Sequence, residues 1–154
     1  MSELRGAAPG ASPAEPQARH ILVWYVETAQ GRAALQYAQS LAVAAVARLT
    51  VLAVVTRERT DIGCARCRQS AAIWNHEMEE IAHEALVAAA GALGRSPSVA
   101  YETAVGSEAD AIATAAAHGR ADVIVLPWRR PRRLVRGRKP FWTSAYASAG
   151  RGRS

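Results

Sequence analysis

Four short apolar or alternating segments punctuate this chain, and between them hydrophobic residues recur at three- and four-residue steps. The first segment, His20 to Val26, is apolar, β-branched and aromatic after a Pro- and Gly-rich stretch, which predicts a strand covered on both faces. From Gln30 the period changes. Leu35, Ala38, Leu41, Ala42 and Ala45 form the stripe of an amphipathic helix ending near Arg48. Leu49 to Val55 predicts a second buried strand, and the charged stretch from Arg57 to Gly63 a loop. A long helix is then expected to begin between Cys67 and Ala71, with Trp74, Met78, Ile81, Ala85, Ala89 and Leu93 inward. His76, Glu79, Glu80, His83 and Glu84 fall on its other side, and Gly94 to Pro97 stops it.

Ser98 to Val105 alternates, as an edge strand would. Ser107 and Asp110 read as a capping box, the hydroxyl accepting from the Asp110 amide and the carboxylate from the Ser107 amide. The helix that follows runs to His118, with Gly119 as its left-handed stop. Ala121 to Pro127 is a last buried strand. The resulting order, β-α-β-α-β-α-β, has connections long enough for crossover helices and predicts a parallel sheet.

Length and composition bound what this pattern can be. The chain has 154 residues, half of them hydrophobic, enough for one core. We expect an α/β domain over residues 20–127, a disordered tail over 1–19 and a basic tail over 128–154. The longest apolar run, Leu41 to Val55, is broken by Arg48 and is too short for a membrane span. Residues 1–19 lack the apolar core of a signal peptide, so a soluble cytoplasmic protein is expected.

Charge divides the chain sharply. Up to Leu126 there are ten arginines against thirteen acids, a net −3, whereas from Pro127 onward there are nine basic residues and no acid. Arg132, Arg133, Arg136, Arg138 and Lys139, interleaved with Trp128, Phe141, Trp142 and Tyr146, have the composition of a nonspecific anion or nucleic-acid binder. A solvated basic tail has the same composition.

Particular residues add a resemblance. Ile21-Leu-Val, then Arg32-Ala-Ala-Leu-Gln-Tyr-Ala38, is similar to the first strand and helix of universal stress proteins, and Ala47 to Val55 resembles their second strand. Val105-Gly-Ser-Glu-Ala-Asp-Ala-Ile112 resembles the family's loop into the third helix, and Ala121-Asp-Val-Ile-Val125 its fourth strand. The resemblance implies a three-layer α/β/α, doubly wound, Rossmann-like fold of the adenine nucleotide alpha hydrolase type, its four parallel strands ordered 3-2-1-4. It also implies a stress-linked regulatory or adaptor role, with a homodimer or a protein partner as the assemblies to look for.

Family members that bind ATP carry an aspartate at the end of the first strand, and a Gly-x-x-Gly followed after nine residues by Gly-Ser/Thr beyond the fourth. Here those positions fall on Val26 and on Pro127, Arg130 and Pro140. Valine offers no side-chain acceptor, and Pro127 lacks the N–H and the torsional freedom that an anion-binding nest needs. No cofactor is therefore expected, with weak adenine-nucleotide binding left open. The strand order implied by the resemblance places Glu27, Thr28, Trp128, Arg129 and Arg130 around the crevice where such sheets bind ligands. They form either an arginine-lined anion site or a vestigial cleft filled by Trp128, and the negative charge of Glu27 favours the second. Family members continue into a fourth helix and a fifth strand; the residues after Lys139 read as too few for both and as holding no apolar strand, so the edge beside strand four is expected to be uncovered.

Cys64 and Cys67 form a Cys-x-x-Cys flanked by Arg66 and Arg68. It reads as two incidental thiols, a redox pair, or half of a tetrahedral zinc site. His76 and His83 could not complete the zinc site together, because seven residues of helix separate them by about 10.5 Å. His20 and His118, at element ends, are expected to face solvent. No nucleophile elbow, His-Glu-x-x-His or phosphate-binding glycine loop occurs, so an enzyme is not expected.

Overall fold

The computed structural model describes residues 18–94, 96–127, 132–135 and 141–144. In chain order the elements are β1 (His20–Trp24), α1 (Ala29–Ala45), β2 (Arg48–Val55), α2 (Ala65–Leu93), β3 (Val99–Val105), α3 (Glu108–Gly119), β4 (Val123–Leu126), β5 (Arg132–Val135) and β6 (Phe141–Ser144). They build one six-stranded sheet in the order β3-β2-β1-β4-β5-β6. The first four strands are parallel, with Val23 level with Val51 on one side and with Val125 on the other. β3 lies at one edge of the sheet, as its alternating sequence predicts.

Period-two alternation sorts each central strand between two cores. Ile21, Val23, Leu49, Val51, Val123 and Val125 point to the side packed by Leu35 and Ala38 of α1 and Ala85 and Ala89 of α2. Leu22 and Leu52 point to the opposite side, against Ala116 of α3 and Ala121. Both faces being covered, β1 reads as a continuous apolar run.

Several local expectations change. α2 begins at Ala65, with Cys64 as its N-cap, rather than at or beyond Cys67. Its buried face is Ala71, Ala82, Ala85 and Ala89, while Trp74 and Ile81 remain 45% and 55% exposed. The small side chains let the helix axis lie close to the sheet, and this rotates the larger ones on the flank of the stripe outward. At the start of α3 the Ser107 hydroxyl accepts from the Asp110 amide at 3.3 Å, as expected, but the Asp110 carboxylate accepts a hydrogen bond from the Ser107 hydroxyl at 2.6 Å, in place of the Ser107 amide.

Gly119 does not supply the left-handed stop; Arg120 does, at φ 52°. Glycine is required at 119 for another reason, because a Cβ there would lie 2.8 Å from the His20 ring. His20 is itself a correction, being 6% exposed rather than solvent-facing. Its Nδ1 lies 2.7 Å from the Gly119 carbonyl and its Nε2 2.8 Å from the Thr50 hydroxyl. A carbonyl only accepts, so Nδ1 carries a hydrogen, and in the neutral ring Nε2 accepts from Thr50. Asp122 completes this end of the sheet, its Oδ2 accepting from the Arg19 and His20 amides at 2.8 and 3.0 Å. The C-cap of α1 is less economical. Val46 sits at φ 51°, where a β-branched side chain costs about 1–2 kcal/mol.

The edge of β4 is occupied, contrary to the expectation of an uncovered border. β5 pairs antiparallel with β4, Val125 opposite Arg133, and β6 pairs antiparallel with β5, Leu134 opposite Trp142. Five residues, 127–131, join β4 to β5. So short a connection cannot carry a crossover helix, and the strand must return antiparallel.

Candidate functional site

Parallel strands ordered about β1 and β4 create a point from which the chain departs in opposite directions, and ligands of such sheets bind beyond the carboxyl ends of the strands there. Continuing the β1–β4 register sets Pro127 level with Tyr25. The loop from Tyr25 to Thr28 therefore forms one wall of this rim.

Thr28 caps α1, its Oγ1 accepting from the Gly31 amide at 3.0 Å. The Thr28 amide in turn donates to the Val26 carbonyl at 2.7 Å. Gly31 packs so closely over that carbonyl that a Cβ would lie 1.8 Å from its oxygen. The loop is thus closed on its own backbone, and Val26 presents only alkyl groups to the rim.

Glu27 is also engaged. Its carboxylate accepts from the Tyr25 phenol on one oxygen and from the Arg32 guanidinium on the other. The Tyr25 hydrogen bond, more than the partly exposed Arg32 pair, holds the carboxyl below its usual range. Burial pushes the Tyr25 phenol up to about 12, and the neighbouring carboxylate adds to this. The loss of each contribution with pH follows from these directions. Tyr25, raised in the fold, contributes stability present below its ordinary pKa of about 10 and lost as pH climbs towards about 12. Glu27, lowered in the fold, contributes stability present above the ordinary carboxylate range and lost as pH falls through its depressed value. In an ultraviolet titration one phenol is expected to ionise near 12 and to vanish in Tyr25→Phe; an unchanged set of phenol transitions in that variant would contradict the coupling.

The other side of the predicted crevice, Trp128, Arg129 and Arg130, lies outside the described residues. So do Arg136, Arg138 and Lys139, whereas Arg132 and Arg133 are placed on β5 opposite Leu126 and Val125. Of the predicted rim residues the structure brings together Glu27 and Thr28, joined by Tyr25, Gly31 and Arg32, which sequence reasoning did not assign to the site. A Tyr-x-Glu followed five residues on by Arg was the available signal, since strand end and first helical turn bring those positions together.

Farther along the same rim, the loop after β2 ends at Cys64, the N-cap of α2, and Cys67 follows in the first turn of that helix; both are exposed. Asn75 fastens this loop to α2: its Oδ1 accepts from the Glu58 amide at 2.7 Å and its Nδ2 donates to the Glu58 carbonyl at 3.0 Å. Arg57 also pairs with Glu79. Sequence reasoning missed Asn75, which looks like any polar residue on an exposed helix face. His76 lies 3.5 Å from Glu80 on that solvated face, and His118 is exposed as expected. Among the described residues no three His, Cys, Asp or Glu side chains converge to hold a metal. No helix among them is long and apolar enough to cross a membrane.

The family model for the universal stress protein family matches residues 17–138. The chain belongs to that family. No curated protein matches it in sequence. In fold, this universal stress protein is similar to UspA from Lactobacillus plantarum, with a TM-score of 0.60 and 22% identity over 73% of this chain and 78% of the other. It is also similar to a universal stress protein family member from Burkholderia pseudomallei, with a TM-score of 0.57 and 24% identity over 73% of this chain and 83% of that one. These likenesses agree with the parallel order β3-β2-β1-β4.

Proposed function

We propose that this universal stress protein acts in the stress response by binding, as a regulatory or adaptor domain whose rim no longer holds ATP in the manner of the ATP-binding members. The observation that carries this reading is the closed loop after β1. Its carbonyl is covered by Gly31 and bonded to Thr28, its carboxylate is held by Tyr25 and Arg32, and the remaining position is Val26. A nucleotide entering there would have to displace bonds already made and would meet alkyl groups where it needs an acceptor. A triphosphate would also lie near a carboxylate that stays ionised, a repulsion that strengthens as water is excluded. Pro127, level with Tyr25, offers no N–H to a phosphate.

Calorimetric titration of the full chain with Mg-ATP is the direct test. The expected outcome is no saturable heat at micromolar protein. A micromolar, magnesium-dependent complex would refute the reading, and its loss in Thr28→Ala would locate the ligand on this loop.

A further inference from the structure

The junction between the β2–α2 loop and the first turn of α2 holds two nucleophilic side chains in mutual contact, at a place that the nucleotide question does not involve. Cys64 is the N-cap of α2 with extended torsions, φ −71° and ψ 165°, and its sulfur accepts from the Cys67 amide at 3.3 Å. The Cys67 sulfur lies 2.7 Å from it. Gly63 makes this approach feasible: it sits at φ 94°, and a Cβ there would come within 3.2 Å of the Cys67 Cβ. Arg68 donates to the Gly63 carbonyl at 2.9 Å, which keeps a guanidinium beside the pair. The nearby carboxylate of Asp61 is neutralised within the loop by Arg59, at 2.9 and 3.2 Å. The local field is therefore positive, from the amides of the helix start and from arginine. Both thiols are exposed, so a reactant reaches them without any opening of the fold.

We propose that Cys64 and Cys67 are a dithiol–disulfide exchange site for small-molecule or peptide disulfides, with Cys64 the attacking sulfur and Cys67 the resolving one. The assignment of roles follows from position. The Cys64 sulfur receives the Cys67 backbone amide, which favours negative charge on that sulfur, while the Cys67 sulfur lies beside it. Those hydrogen bonds, that from Cys67 foremost, also lower the Cys64 pKa from its ordinary thiol value.

The exchange balances as two displacements. Cys64 loses its proton to solvent and its thiolate attacks one sulfur of R–S–S–R; a Cys64–S–S–R bond forms, the substrate S–S bond breaks, and R–S⁻ leaves and takes a proton from water. Cys67 then loses its proton to solvent and attacks the Cys64 sulfur. The Cys64–Cys67 bond forms and the second R–S⁻ leaves to be protonated. Overall the chain gives up two electrons and two protons, and one disulfide becomes two thiols. The reverse sequence reduces the pair, so the surrounding thiol potential sets the direction. A disulfide here would tie the loop pinned by Asn75 to the first turn of α2.

Equilibration of the full chain with mixtures of reduced and oxidised glutathione, quenched by alkylation and read by intact mass, tests this. Both thiols are expected to disappear together at one midpoint, giving a monomer lighter by two hydrogens. Cys67→Ser is expected to stop at a glutathione adduct on Cys64, and Cys64→Ser to form its adduct roughly 10-fold more slowly at neutral pH. Both thiols staying alkylatable across the whole series would overturn the proposal. So would disulfide-linked dimers as the sole oxidised product, zinc held by the two sulfurs of purified protein, or adduct formation that favours Cys67. The ATP titration reads a different loop, so each proposal can fail without the other.

Discussion

Gly31→Ala is expected to destabilise the domain by about 3 kcal/mol or more, at or beyond the upper end of overpacking effects. The new methyl would lie 1.8 Å from the Val26 carbonyl oxygen and 2.9 Å from its carbon, and both belong to backbone that no rotamer change can move aside. That carbonyl already accepts from Thr28, and Gly31 itself donates to the Thr28 side chain, so either displacement breaks a bond of the cap. Gly91 supplies the control. It lies in α2 with nothing within 4 Å of a Cβ, and alanine there is expected to stabilise by up to about 1 kcal/mol, since helical glycine is entropically costly. Urea denaturation of the two variants should thus show the same substitution moving the midpoint in opposite directions. A Gly31→Ala protein as stable as the parent would mean that the loop after β1 is not packed as described.

His20→Ala is expected to destabilise by about 2–4 kcal/mol. The substitution empties a site that is 6% exposed and takes away the partners of the Gly119 carbonyl and of the Thr50 hydroxyl, itself 3% exposed. Adding Thr50→Val distinguishes the hydrogen-bonded network from simple loss of volume. If the network matters, the double variant should fall short of the summed single effects by about 1 kcal/mol, because one buried hydroxyl would no longer be left unpaired. Strict additivity would show that the His20–Thr50 hydrogen bond contributes nothing measurable to stability. Gly119 bears on the same contact, since the ring occupies the space that a Cβ would need.

These two expectations mark where sequence patterns stop. The stretch from His20 to Val26 announces a buried strand, yet nothing in its order says that His20 turns inward to bridge Thr50 and the end of α3. That requires β2 and α3 to be in place, and their partners are separated from His20 by 30 and 99 positions. Gly119 likewise looks like a helix stop, because glycine tolerates left-handed torsions; only the packed ring reveals that the missing Cβ is what matters. The stripe of α2 misled for a related reason. Trp74 and Ile81 outweigh alanine in any hydrophobic pattern, but the distance between helix and sheet is set by the smaller residues that allow close approach.

At the rim, Glu27 and Thr28 were legible from the resemblance, and so was the absence of an acceptor at Val26. Their closure by Tyr25, Gly31 and Arg32 was not, since it depends on the angle at which α1 leaves β1. Cys64 and Cys67 were visible as a pair, but their contact depends on α2 starting at Ala65, a turn earlier than its hydrophobic rhythm begins.

By itself the chain determined its alternation of strands and helices, the parallel sense of the first four strands and its family, because burial on both faces and crossover length leave periodic marks along the sequence. Only the tertiary structure decided that the sheet continues past β4 as an antiparallel hairpin, that His20 is buried, and that the loop after β1 is closed. Each of those depends on contacts between residues whose local sequence is compatible with more than one neighbour, and the neighbour is chosen by packing.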